Sequence, residues 1–124
     1  MSTLQQIHLA GRWIGESQGC ASPAHIWEIE QQGERLIIRT RWENASAETR
    51  LFGRIIAGTN AFSIGSVHAV ILDPLHFVAP NWDTNDIRGG VGPAYDVVFA
   101  RPGLPELTAG AAYVRWVAGM ADGG

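Results

Sequence analysis

Apolar and polar residues alternate with a period of two over most of the chain, the pattern of half-buried strands and not of amphipathic helices. Between Ala24 and Gln31, the residues His25, Trp27 and Ile29 share one face, and Glu28 and Glu30 share the other. Between Arg35 and Glu43, the face of Leu36, Ile38, Thr40 and Trp42 opposes that of Ile37, Arg39 and Arg41. Gln32-Gly33-Glu34 separates the two runs and has the composition of a tight reversal. Together they predict a hairpin with its tryptophans pointing to one side.

The same reading predicts strands over Gly11 to Ser17, Thr49 to Ala57, Ala61 to Leu72, His76 to Trp82, Tyr95 to Arg101 and Ala111 to Ala118. Gly65 and Ser66 interrupt the fifth of the eight, where a bulge is expected. Asp83 to Pro93 and Pro102 to Gly110 read as the longest loops, the first as a lid, and residues 119–124 as a frayed tail. Thr3 to His8 has room for one helical turn. The prediction is a single all-β domain over residues 1–124: an up-and-down antiparallel barrel of about eight strands, with at most one short N-terminal helical turn. Closure removes the edges that so many apolar strands would expose. A barrel of this size holds either a packed core or one small ligand.

Gly11-Arg12-Trp13 stands at the start of the first predicted strand. On this Gly-x-Trp signature and the strand plan, the chain resembles the calycins, the group of lipocalins and fatty-acid-binding proteins. The resemblance implies an arginine on or after the last strand, packed over that tryptophan to close the barrel. Arg115, within Tyr113-Val114-Arg115-Trp116, is the candidate partner of Trp13. It also implies a small hydrophobic or aromatic ligand. Heme-binding barrels share the general shape with a histidine near the C-terminus, but no histidine follows His76 here.

Composition narrows the chemistry. All nine basic residues are arginine, so Schiff-base catalysis and a lysine-bearing P-loop are excluded. A net charge of −3 argues against partners that are nucleic acids or anionic membranes. The lone Cys20 excludes an intrachain disulfide and a multi-thiolate zinc site. The first residues lack a signal-peptide pattern, so a cytoplasmic location is expected.

Candidate chemistry falls on the inward face. Trp27, Trp42, Trp82, Tyr95 and Phe99 are expected as aromatic walls, with His25, His68 and His76 as polar anchors. Arg50 and Arg54 are expected to form an outward basic stripe, because Leu51, Gly53 and Ile55 make the better interior face. No catalytic or metal-binding residue is assigned and no cofactor is called, heme on one histidine staying open as a subcase. The leading expectation is a binding barrel without chemistry. Two alternatives stand beside it: an isomerase- or cyclase-like enzyme with a histidine base, and a filled homo-oligomeric barrel that associates through Ile37, Phe52 and Ile56.

Overall fold

The predicted hairpin is the spine of the structure: β2 (His25–Gln32) and β3 (Arg35–Trp42) pair from Gln32↔Arg35 up to His25↔Trp42. Gly33 turns the chain with a φ of 65°, a left-handed conformation that a β-carbon disfavours. The computed structural model describes residues 8–19, 23–83, 94–105 and 107–123. Around the hairpin run β1 (Gly11–Ser17), β4 (Thr49–Ile56), β5 (Ala61–Ile64), β6 (Val67–Asp73), β7 (His76–Asp83) and β8 (Tyr95–Ala100). Each strand pairs antiparallel with its sequence neighbour, and β8 returns to β1 through Ile14↔Ala100 to Ser17↔Val97. The result is a closed eight-stranded barrel.

Two strand predictions are corrected. The segment Ala61 to Leu72 is not one bulged strand but a hairpin, with Gly65 at φ 61° and Ile64 opposite Val67. A two-residue loop resets the phase, so Val67, Ala69 and Ile71 face inward while His68, Val70 and Leu72 face out. Ala111 to Ala118 is not a strand either. It lies inside α1 (Leu107–Gly123), which also takes in residues 119–123 of the expected tail. Ala109, Ala112, Tyr113 and Trp116 follow the i, i+3, i+4, i+7 spacing of a helix face. That face packs over Val78 and Val98 on the outside of the barrel, with Val70 and Leu72 alongside. Val114 and Val117 gave the segment its strand-like look, and both are exposed. The helix is thus at the C-terminal end; of the expected N-terminal turn, Thr3 to Ile7 lie outside the described residues and His8 has no regular structure. Among the described residues, no helix is long and apolar enough to cross a membrane.

The lower end of the barrel is plugged. Trp13 is buried and donates its indole N–H to the Leu9 carbonyl at 2.9 Å, while the Leu9 amide donates to Gln31 Oε1 at 2.7 Å. The guanidinium over Trp13 belongs to Arg101, 4.0 Å from the ring centroid, and not to Arg115. Arg101 follows β8 directly and also donates to the carbonyls of His8 and Arg12. Arg115 sits on α1, where it meets Asp73 at 3.5 Å. Arg115 lies in a helix and not on the last strand, and the arginine that directly follows the last strand, Arg101, takes the place over Trp13.

Candidate functional site

Above the plug, the interior is filled by aromatic rings before it opens. Phe77 and Phe99 stack at 4.7 Å, Trp13 and Phe62 meet Phe77 edge-on, and Trp27 lies 4.2 Å from Phe99. All five rings are essentially inaccessible to solvent. Gly15 permits this packing, since a β-carbon there would lie 2.5 Å from the Phe99 ring.

The upper end is hollow. A cavity of about 440 Å³ opens there, walled by His25 and Trp27 from β2, Trp42 from β3, Leu51 from β4 and Trp82 from β7. Alternation aims the first four inward from their strands, and the aromatic pack forms the floor. Trp82, out of phase with the inward Phe77 and Ala79, is turned in by the irregularity at Asn81, where φ is 55° and the β7–β8 register shifts. Trp82 meets Trp27 edge-on at 5.2 Å, and the His25 imidazole lies 4.5 Å from the Trp42 ring. His25 Nε2 is 3.1 Å from Ser17 Oγ at the rim. Thr40 and Thr49 add hydroxyls to the wall; Thr40 is legible from its phase with Trp42, and Thr49 precedes Leu51 by two. Arg41 points outward by phase, yet its guanidinium donates to the carbonyls of Trp42 and Ala45 and pins the rim turn.

One polar atom stands out. The indole N–H of Trp27 is buried and has no hydrogen-bond partner. Burying an unmet donor costs about 1–3 kcal/mol, so native interiors carry few of them.

The other expected site residues are distributed as follows. Phe99 is in the floor, covered by the rings above it. Tyr95 shares the inward phase of Val97 and Phe99 but is half-buried against Gly19, outside the cavity lining. His68 is exposed on the outer surface, for the phase reason given above. His76 is buried on the outer side of β7, next to α1, and does not reach the interior. Its Nδ1 is 2.9 Å from Asp73 Oδ1, and its Nε2 is buried without a partner. Partial burial pushes the Asp73 carboxyl up, but the Leu75 amide, His76 and Arg115 outweigh it and hold the group below its ordinary value. Nearby, Tyr113 donates to Asp96 Oδ2 at 2.9 Å; burial, then that carboxylate, pushes its phenol up. Cys20 and most of the expected lid, residues 84–93, lie outside the described residues.

A second cavity of about 480 Å³ lies against the outer face of β1, between Glu16, Glu43, Arg101 and Thr108. It has no aromatic side chain in its wall. Among the described residues, no group of three or more His, Cys, Asp or Glu side chains is placed to hold a metal ion. No family model, curated protein or solved structure matches the chain.

Proposed function

We propose that the barrel binds a small, planar, hydrophobic or aromatic molecule in its upper mouth, held by non-covalent contacts alone. The observation that carries this reading is the tryptophan-walled cavity itself. Its volume of about 440 Å³ falls in the range of small-ligand pockets, and its wall is aromatic with a few polar groups. The filled lower interior limits the ligand to the mouth, which favours a compact ring system over an extended chain. Trp27 supplies a buried donor, so a ligand with a carbonyl or ring-nitrogen acceptor fits better than a pure hydrocarbon.

Calycin kinship belongs to the same proposal. Its support is the Gly-x-Trp at the start of β1 and the arginine after β8 that stacks on that tryptophan. Indole N–H resonances in a nitrogen-correlated NMR spectrum test the binding reading. Titration with naphthol and quinoline is expected to shift the Trp27 and Trp42 indole signals and leave that of Trp13 in place. Shifts confined to Trp116, on the outer helix, would count against it.

A second reading draws on the Ser17 hydroxyl held 3.1 Å from His25 Nε2. There His25 is a base that moves a proton on the bound ligand, as in an isomerase. It differs in outcome: the ligand is converted, and His25→Gln abolishes conversion while binding persists.

A further inference from the structure

On the outer face of β3 and β4, the register sets Arg35 opposite Arg54, Ile37 opposite Phe52, and Arg39 opposite Arg50. Directly opposed like charges destabilise a sheet, so two such pairs in a row work against folding. The chain has nine cationic side chains in all, and this patch gathers Arg35, Arg39, Arg50 and Arg54 around an apolar pair. All four arginines are exposed, and Phe52 is 66% exposed. Little on the protein neutralises them. Arg54 meets Glu34 only at 4.0 Å, and Glu28, opposite Arg39 on β2, pairs with Arg12 instead. Among the described residues, Arg35, Arg39 and Arg50 have no ion-pair partner.

The same place has an open ladder. β4 pairs with β3 along Thr49 to Arg54, but it pairs with the four-residue β5 only from Gly53 to Ile56. From Thr49 to Phe52, β3 is therefore its only strand partner among the described residues. An unpaired strand edge is a template for a further strand. Charge on an edge normally deters this, but a phenylalanine exposed beside the charge does not. A groove of about 430 Å³, lined by Arg35, Ile37, Phe52, Arg54 and Ser63, adjoins the edge.

We propose that the Thr49–Phe52 edge of β4, with its flanking arginines, docks an extended acidic segment of a partner protein by strand addition. Main-chain hydrogen bonds would supply affinity, and alternate side chains the choice of partner. Successive outward residues of a strand stand about 7 Å apart. A segment whose every second residue is in turn acidic and apolar, as in Glu-x-Val-x-Glu, therefore sets an apolar side chain on Phe52 and a carboxylate on Arg50. The guanidinium fork suits a carboxylate, and an apolar centre within a charged rim is the anatomy of a protein interface. A polyanion such as RNA or a lipid surface fits less well, because the molecule as a whole carries a net charge of −3.

The probe is a fluorescein-labelled heptapeptide, Thr-Glu-Thr-Val-Thr-Glu-Thr, whose outward residues are glutamate, valine and glutamate, followed by anisotropy with the full chain. It is expected to bind, to weaken with added salt, and to lose at least about tenfold in affinity when alternate amides are N-methylated. The double variant Arg39→Glu/Arg50→Glu is expected to lose the glutamate peptide and gain the analogue with lysine in place of both glutamates, with unchanged circular dichroism and naphthol binding. No binding by the heptapeptide overturns the proposal, as does indifference to N-methylation. Tighter binding of oligothymidylate or phosphatidylglycerol vesicles overturns it too, as does self-association that Phe52→Ser abolishes. Failure of naphthol binding alone would bear on the cavity and not on this edge.

Discussion

The guanidinium of Arg101 lies 4.0 Å from the ring centroid of Trp13, sealing one end of the barrel while the other stays open. The pair joins residues from the first and last strands' ends, so it fastens the closure of the sheet as well as its base. Arg101 also donates to the His8 and Arg12 carbonyls, which gives the guanidinium both a stacking and a capping role.

Loss of that seal is expected to be costly. Trp13→Ala removes a fully buried ring and is expected to destabilise by about 3–5 kcal/mol. Arg101→Ala is expected to cost about 1–2 kcal/mol, given its stacking on the indole. Arg115→Ala breaks only an exposed ion pair and is expected to cost less than about 1 kcal/mol. Urea midpoints for the three variants check the order; a larger loss at Arg115 than at Arg101 would contradict the assignment.

Gly15 and Phe99 are expected to be coupled. Gly15→Ala places a β-carbon 2.5 Å from the ring. It is expected to cost about 1–3 kcal/mol through overpacking. Phe99→Leu makes room, so the two substitutions together are expected to cost less than the sum of their separate effects. Chemical denaturation of the four proteins in the cycle measures the coupling.

Stability is expected to fall in acid partly through Asp73. Its carboxyl titrates lower in the folded protein than the ordinary value of 3.8. A depressed carboxylate stabilises the fold above the unfolded-state pKa, and that contribution disappears as pH falls through the lower folded-state pKa. Asp73→Asn is therefore expected to be less stable than the wild type at about pH 5, with the gap narrowing toward about pH 2. Urea unfolding across that range, on both proteins, is the check.

Trp42 is expected to matter for binding more than for folding. It is half-buried at the rim, where Trp13 is buried in the plug. Trp42→Ala is expected to lose at least about tenfold in affinity for naphthol, a loss of about 1.4 kcal/mol. Its urea midpoint is expected to fall less than that of Trp13→Ala. Calorimetric titration and denaturation of the same preparations separate the two effects.

Much of this was legible in the sequence wherever alternation was uninterrupted. The β2–β3 hairpin, the inward phase of His25, Trp27 and Trp42, and the outward phase of Arg50 and Arg54 follow from period two alone. Errors arose where phase or period changed. Gly65-Ser66 is a hairpin loop and not a bulge, which moves His68 from the inner face to the outer. The packed face of α1 pairs two small alanines with Tyr113 and Trp116 while Val114 and Val117 are exposed, so the pattern of residue types hides the helix and with it the position of Arg115. His76 falls outside the interior because the next residue, Phe77, fills the inner face of β7. The hollow mouth and plugged base depend on which large rings meet in space, and a linear pattern does not carry that.

The central claim is that the barrel receives a compact aromatic ligand at its upper end and excludes an extended chain from its filled base. Tryptophan emission of the wild-type protein, titrated separately with naphthol and with hexadecanoate, tests this most directly. A saturable change with naphthol, and none with hexadecanoate, is the predicted result. Stoichiometric binding of hexadecanoate would show an open interior beneath Trp27 and contradict the account.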